Sequence, residues 1–271
     1  MTRRQLRLAV LGDPLDYTRS PDLHRAGLEA LGIACESRAI RTPREALGVR
    51  LRELAGQGCR GVNLTAPLKH AALAHLARVS GAARRARSVN TVGFDPAGAW
   101  GDTTDGPGFL DLLRWLGRRP AAERVVLLGA GGAARSLSLA LIECGCEDIA
   151  VSARRPEAAE DWREIPEATL VAWRSRAEIE ALGWATLVVH ATPLADAVRP
   201  APLEAVARGA LVVDLCYGPR PTPWICAARA AGLHAWDGLG LLVFQARRSL
   251  SLWTGREVPV DPLARAVGWP R

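Results

Sequence analysis

The sequence contains very little lysine and asparagine. Of the 35 lysine and arginine residues in the 271-residue chain, only Lys69 is a lysine, and asparagine occurs only at Asn63 and Asn90. A composition this rich in arginine replaces lysine wherever arginine can serve, so a single remaining lysine is a candidate for a role that arginine cannot fill. Arginine stays protonated, whereas lysine can exchange a proton. Lys69 is therefore a candidate catalytic residue, with chance survival as the alternative.

The six cysteines lack any spacing that would indicate a metal site or a redox pair. No C-x-x-C pair occurs, and no cysteine spacing matches a zinc motif. We interpret them as small buried apolar residues of a chain that works in a reducing compartment, and no metal is predicted. The cysteines are Cys35, Cys59, Cys144, Cys146, Cys216 and Cys226.

Long apolar runs and clustered charges are also missing. No segment approaches the roughly 20 residues that cross a membrane, and the start, MTRRQLRLAV, has no apolar core of signal-peptide length. The net charge is +7, but the arginines are scattered and not interleaved with aromatic residues, so nucleic acid is not a predicted partner. A cofactor with several phosphates would account for part of the charge. The sequence predicts a cytoplasmic globular protein without a membrane partner.

The clearest pattern in the chain is a glycine-rich turn within residues 124–155. An apolar strand, Val125–Leu128, runs into G-A-G-G-A-A, a helix-period stretch follows, and a second strand covers Ile149–Ser152. In this G-x-G-x-x-A fingerprint the glycines allow the turn and the approach of a pyrophosphate, which the start of the helix then holds. The alternative is a glycine-rich turn of an ordinary α/β domain. The residues predicted to bind a dinucleotide here are Gly129, Ala130, Gly131, Gly132 and Ala133.

The end of the second strand predicts which dinucleotide is bound. In NAD-binding versions of this motif an acidic residue at that place bonds the ribose 2′-hydroxyl, whereas arginine suits a 2′-phosphate. The strand here ends at S-A-R-R, with Arg154 and Arg155 and no acidic residue. The position of these arginines favours NADP as the cofactor.

The order of the predicted elements indicates the α/β class. Strands and helices alternate before the fingerprint, with Ser20 well placed to cap the first helix. Predicted strands are 6–11, 35–40, 61–65, 90–94 with Trp100, 125–128, 149–152, 169–172, 186–190, 211–215 and 233–235. Predicted helices are 22–31, 43–56, 68–77, 80–87, 107–116, 133–144, 238–253 and 262–267. The residues from about 121 to 237 form a Rossmann-type unit.

Eight segments, in this order, resemble the shikimate dehydrogenase family over essentially the whole chain. Lys69, Asn63 and Asn90 all fall inside them, so their rarity and the resemblance point to the same residues. The segments are GDPLDYTRSPDLH (12–24), GVNLTAPLK (61–69), SVNT (88–91), GDTTDG (101–106), GAGGAAR (129–135), ATP (191–193), DLCYGPRPTP (214–223) and DGLGLLVFQA (237–246).

The resemblance implies a reaction and a site. The family reduces 3-dehydroshikimate to shikimate with NADPH, and it implies a substrate domain made of residues 1–104 and 239–271, a cofactor domain of residues 105–238, and a substrate cleft between them. Lys69 and Asp105 would be the catalytic pair. Thr18 and Ser20 would hold the substrate carboxylate, and its other contacts would be Thr65, Asn90, Asp105, Tyr217 and Gln245. Thr192 and Gly238 would join the cofactor-binding residues. We expect a monomer or a homodimer.

Departures from the family pattern leave two alternatives open. Thr18 stands for a usual serine, Tyr17 for a histidine, Thr103 for an asparagine, and Arg87 with Ser88 for Gly-Ala. Because the first two lie at the carboxylate end of the expected pocket, quinate or a related cyclic polyol acid is an alternative substrate. An alternative of another class is an NADP-binding sensor that does not catalyse.

Overall fold

The structure, a computed structural model, describes residues 5–158, 160–192 and 200–271. Pro193 of the ATP segment lies outside these residues. The chain divides into two compact units: one ends at Phe109 and includes Leu242–Pro270, and the other covers Leu110–Leu241 with Arg271. Within the described ranges, no helix has the length and apolar character needed to cross a membrane.

Twelve strands are present in the described part of the chain. They are β1 Gln5–Gly12, β2 Ala34–Arg41, β3 Gly61–Leu64, β4 Arg78–Val79, β5 Thr91–Asp95, β6 Gly98–Asp102, β7 Arg124–Leu128, β8 Asp148–Ala153, β9 Ala168–Ala172, β10 Leu187–His190, β11 Leu211–Asp214 and β12 His234–Trp236.

Ten α-helices accompany these strands in the same described ranges. They are α1 Ser20–Ala30, α2 Leu47–Gly56, α3 Leu68–Ala71, α4 Gly81–Ala86, α5 Asp105–Trp115, α6 Gly132–Glu143, α7 Arg176–Trp184, α8 Pro223–Ala230, α9 Leu239–Thr254 and α10 Val260–Val267. The chain passes from one unit to the other within α5 and again within α9.

The first unit contains a mixed six-stranded sheet in the order β2-β1-β3-β5-β6-β4. The β1 strand runs parallel to β2 and β3, whereas the β5–β6 hairpin is antiparallel. Its core packs the apolar faces of β1 and β3 against α2, with Leu11, Leu47 and Val62 fully buried. Because β3 ends in the middle of the sheet, residues 65–69 that follow it lie at the sheet's carboxyl edge.

The second unit contains a six-stranded parallel sheet in the order β12-β11-β10-β7-β8-β9. Both faces of such a sheet are covered by helices, which explains the unbroken apolar run Val125–Leu128, at most 3% exposed. From β7 the chain adds β8 and β9 on one side and then crosses over to add β10, β11 and β12 on the other. A switch point therefore lies between β7 and β10, where ligands of such sheets bind. The predicted α/β class with a Rossmann-type unit is confirmed.

Three local details differ from the sequence prediction. Ser20 is the first residue of α1 rather than its cap; the cap position is Arg19, and no side chain caps it. The predicted helix 68–77 is α3 continued by a 3₁₀ turn, Ala72–His75, before the short strand β4, which was not predicted. The predicted helix 80–87 ends one residue earlier, at Ala86, because Arg87 adopts the left-handed conformation, φ 49°. Glycine is the common residue at such a position.

Candidate active site

Lys69 and Asp105 form an ion pair in the first unit. Lys69 lies in α3 just after β3, and Asp105 is the first residue of α5. Lys69 Nζ donates to Asp105 Oδ2 over 2.7 Å. The Lys69 side chain is 24% exposed and that of Asp105 5%, so the lysine is the more accessible member of the pair.

Asn90 fixes the other carboxylate oxygen. Asn90 Oδ1 accepts from the backbone N–H of Thr104 over 2.8 Å. Because a backbone N–H can only donate, this contact sets which end of the amide is oxygen. Asn90 Nδ2 then donates to Asp105 Oδ1 over 2.7 Å and to Gln245 Oε1 over 2.8 Å. Asp105 is thus held at both oxygens by donors.

The same contact orients Gln245, which lies half-buried on α9. Its Oε1 accepts from Asn90, so its Nε2 group is the end that can donate to a ligand. Four of the predicted site residues, Lys69, Asn90, Asp105 and Gln245, are therefore joined by direct hydrogen bonds in one unit. For a small polar ligand, Lys69 offers a cation and Gln245 an amide donor.

A buried series of hydrogen bonds, from His24 through Asn63, supports Asn90. Asn63 Nδ2 donates to the carbonyl oxygen of Asn90 over 2.9 Å and to Ser249 Oγ over 3.0 Å. Asn63 Oδ1 faces His24 Nε2 at 2.9 Å. The sequence marked Asn63 by its rarity and by its place in a family segment, but it gave neither Asn63 nor Ser249 a role, because these contacts join residues up to 186 positions apart.

His24 is neutral in this position. An amide oxygen can only accept, so His24 Nε2 carries the hydrogen and Nδ1 accepts from Ser37 Oγ over 2.8 Å. Burial lowers the pKa of His24 from 6.5 to about 4, and the nearby Arg25 acts in the same direction, while the bond to Asn63 opposes it. The ring is fully buried and packs edge-on against Trp253.

The pKa of His24 predicts a pH-dependent stability. Because the folded value lies below the ordinary 6.5, the unfolded chain binds more protons between these values. The contribution of His24 is full above about pH 6.5 and is lost as the pH falls toward 4, a total of about 3 kcal/mol. Denaturant unfolding at pH 7 and pH 4.5 measures this loss.

The comparison variants are His24→Asn and His234→Asn, the latter altering an exposed histidine. We expect His24→Asn to flatten the pH dependence of the free energy of unfolding and His234→Asn to leave it unchanged. An unchanged slope in His24→Asn would show that His24 is not the group that titrates.

The predicted carboxylate-binding residues lie together at the start of α1. Thr18 Oγ1 is 3.3 Å from both the Oγ and the backbone nitrogen of Ser20.

Thr65 follows β3, and its methyl group would collide with any side chain at position 12, where glycine stands. Tyr217, the remaining predicted substrate contact, is half-buried in the second unit between β11 and α8.

The fingerprint loop fits a dinucleotide. Gly129 has φ +119°, and a Cβ there would meet the Thr192 methyl group at 2.6 Å, so only glycine fits. A Cβ on Gly131 would meet nothing within 4 Å, which is the open backbone a pyrophosphate requires. Ala130, Gly132 and Ala133 complete the turn into α6. The first N–H groups of α6 have no intrahelical partner and are suited to bind phosphate.

A tryptophan that the sequence analysis missed holds this loop. Trp162 Nε1 donates to the carbonyl oxygen of Ala130 over 3.0 Å. Its ring packs against Arg135 of α6, with 5.8 Å from the guanidinium carbon to the ring centroid. Trp162 lies in a 3₁₀ segment, Glu160–Glu164, whose irregular sequence carries no periodic signal.

The other predicted cofactor residues lie around the loop. Arg154 and Arg155 follow β8 and are exposed. Thr192 follows β10 and lies against Gly129. A Cβ on Gly238 would meet the carbonyl oxygen of Leu215 at 2.2 Å, so no side chain fits there.

One trio of metal-ligating residues, His190, Asp214 and Cys216, is found among the described residues, with ligand atoms within 4.8 Å of one another. Each ligand atom has a hydrogen-bond partner instead: His190 Nδ1 bonds Asp214 Oδ1, which also accepts from the Cys216 N–H, and Cys216 Sγ donates to the Thr192 carbonyl. Hydrogen bonding therefore explains why these three side chains lie close together.

Two family descriptions match the chain. The shikimate dehydrogenase substrate binding domain matches residues 10–92, and the shikimate 5'-dehydrogenase C-terminal domain matches residues 238–267. The shikimate dehydrogenase (NADP(+)) of Acidiphilium cryptum is 40% identical over 263 residues, which is 95% of this chain and 94% of the relative.

Solved structures agree with these matches. Shikimate 5-dehydrogenase from Thermus thermophilus, in complex with NADP(H) and shikimate, has a TM-score of 0.87 and 38% identity and covers 97% of this chain and 98% of its own. Quinate dehydrogenase from Corynebacterium glutamicum, in complex with NAD, has a TM-score of 0.83 and 29% identity and covers 97% and 99%. The resemblance inferred from the eight segments is confirmed.

Proposed function

The chain belongs to the shikimate dehydrogenase family, and we propose that it catalyses the reversible, NADPH-dependent reduction of 3-dehydroshikimate to shikimate. It is an oxidoreductase that acts on a CH–OH group with NADP as cofactor. The observation that carries this proposal is the Lys69–Asp105 pair bonded to Asn90, which in turn bonds Gln245 in the same polar site. In the family this reaction belongs to the biosynthesis of chorismate and the aromatic amino acids.

Lys69 and Asp105 perform the proton transfer of the reaction. Reduction of a ketone to an alcohol adds a hydride at carbon and a proton at oxygen, and Lys69 Nζ is the accessible acidic group of the pair. Asp105 holds the amine in place by accepting its hydrogen bond at 2.7 Å. In the oxidation direction the same amine takes the proton back. Because the two groups are in direct contact, we treat them as one proton-transfer unit.

The remaining polar residues bind and orient the substrate. The paired hydroxyls of Thr18 and Ser20 suit a carboxylate. The Gln245 amide donates to a ring hydroxyl, since its oxygen is already taken by Asn90. Thr65, Asn90 and Tyr217 supply the other polar contacts.

The cofactor would be held by the fingerprint loop and the residues around it. Gly129, Ala130, Gly131, Gly132 and Ala133 would hold the pyrophosphate, Arg154 and Arg155 the 2′-phosphate, and Thr192 and Gly238 would complete the site. When bound, NADPH supplies the hydride. We place the enzyme in the cytoplasm as a monomer or a homodimer, with no nucleic acid or membrane partner.

Quinate is the second candidate substrate. It is favoured by Thr18 at the carboxylate end, where the family pattern has serine, and by the similarity to a quinate dehydrogenase. The two substrates share the carboxylate and the ring hydroxyls that this site would bind.

The test is the absorbance at 340 nm when purified protein is mixed with NADP and either shikimate or quinate. We expect NADPH formation with shikimate and a higher kcat/KM for shikimate than for quinate. Turnover with quinate alone would leave the family and the reaction type in place and refute the substrate. Turnover with neither, together with tight NADP binding, would favour the sensor.

A further inference from the structure

A histidine and an aspartate that the proposed reaction does not use lie side by side at the carboxyl ends of β10 and β11. His190 and Asp214 are register partners in the parallel sheet, and each is about 1% exposed. His190 Nδ1 is 2.9 Å from Asp214 Oδ1. Two polar side chains this deeply buried need complete hydrogen bonding, and here both have it.

The surrounding donors decide where the hydrogens are. Asp214 Oδ1 accepts from the backbone N–H of Cys216 over 2.9 Å, and Oδ2 accepts from the Thr222 hydroxyl over 2.7 Å. Asp214 is thus an acceptor at both oxygens, so His190 Nδ1 carries the hydrogen that faces it. The other ring nitrogen, Nε2, points away from Asp214 and is left for a second partner.

The second ring nitrogen of His190 meets Thr192. Thr192 Oγ1 lies within hydrogen-bond distance of His190 Nε2, so the histidine holds the threonine hydroxyl. This bond fixes the rotation of the hydroxyl group. Without the histidine, the hydroxyl could rotate and bond elsewhere.

Thr192 stands where a dinucleotide is expected. It follows β10, the neighbour of β7 across the switch point of the sheet. Its methyl group would be 2.6 Å from a Cβ on Gly129, the first glycine of the fingerprint, so the two residues are in contact. Thr192 therefore lies next to the fingerprint loop, residues 129–133.

We propose that His190 and Asp214 are positioning residues, which hold the Thr192 hydroxyl in one orientation toward the dinucleotide. The proposal rests on the proposed function for the identity of the cofactor as NADP. It assigns no proton transfer in the reaction to His190. The role proposed for His190 does not involve the substrate contacts of the first unit.

The test is the dissociation constant of NADP, measured by calorimetry without substrate on the full chain. His190→Asn can still donate to Asp214 but is too short to reach Thr192, whereas the longer His190→Gln can reach it. One neutral hydrogen bond corresponds to about a 2–12-fold change in affinity. We expect His190→Asn and Thr192→Ala each to weaken NADP binding in this range and His190→Gln to retain more of it.

The double variant separates positioning from general damage. If His190 acts through Thr192, His190→Asn combined with Thr192→Ala should bind NADP no more weakly than Thr192→Ala alone. Multiplying losses would overturn the proposal, as would equal binding by His190→Asn and the parent. The control is Ser175→Ala, which removes the N-cap of α7 and should lower thermal stability without changing NADP affinity.

Two further comparisons separate the hydrogen-bond role from metal binding and from the proposed catalytic function. A chelator should leave NADP affinity unchanged; a loss that added Zn²⁺ restores would assign the trio of His190, Asp214 and Cys216 to a metal and refute the hydrogen-bond role. Because the readout is NADP binding, a lack of shikimate turnover would refute the proposed function and leave this test in force.

Discussion

Replacing Lys69 with alanine is expected to lower kcat by about 10²–10⁴-fold, the usual cost of removing a general acid–base group. Lys69 is the more exposed member of the pair with Asp105, and the chain has no other lysine that could substitute for it. Steady-state kinetics at saturating NADP and shikimate measure the change. A near-normal kcat, or an effect confined to KM, would contradict the catalytic role.

Lys69→Arg is the matched variant for this prediction. Arginine keeps the positive charge beside Asp105 but does not release its proton at ordinary pH. If Lys69 served only as a charge for the ion pair, the arginine variant would keep most of the activity. We expect instead a loss close to that of Lys69→Ala, because the proton-transfer role requires a group that can be deprotonated.

The second large effect is expected at Arg154 and Arg155. A charge-assisted hydrogen bond contributes about 1.5–3 kcal/mol, so one good contact to the 2′-phosphate discriminates by roughly 10–150-fold. Replacing both arginines with alanine should raise KM for NADP by at least the lower of these factors and change KM for NAD far less. Initial rates with the two cofactors at saturating shikimate give the comparison.

The charge-matched control is Arg119→Ala with Arg176→Ala, two exposed arginines elsewhere in the second unit. This variant loses the same net charge and should keep the preference for NADP. Since the arginines following β8 are exposed, added salt should weaken their effect. Equal kcat/KM for NADP and NAD in the unmutated protein would refute the preference outright.

The sequence predicted most of the fold because its signals are local. The apolar run Val125–Leu128, the glycine turn and the helix after it are adjacent in the chain, and the structure places β7, the turn and α6 there. The errors are at element ends and in the missed two-residue strand β4, where tertiary contacts decide. Ser20 was expected to cap α1 and instead begins it, with Thr18 beside it.

The candidate site was predicted less completely than the fold. Lys69 was marked by its rarity, and the resemblance supplied Asp105, Asn90 and Gln245. The amide orientation of Asn90 depends on Thr104, and that of Gln245 depends on Asn90, 155 positions away, and no local pattern carries such a contact. Trp162 on the fingerprint loop escaped prediction for the same reason: its bond to Ala130 is visible only once the chain is folded.

The most direct test of the central claim, that Lys69 and Asp105 act as one proton-transfer unit on shikimate, is a double-mutant cycle in kcat/KM. The variants are Lys69→Ala, Asp105→Asn and the two combined. Residues that act as a unit have strongly non-additive effects, because removing either one disables both. We predict that the double variant is no slower than the slower single variant. A double variant whose loss equals the product of the two single losses would contradict the account.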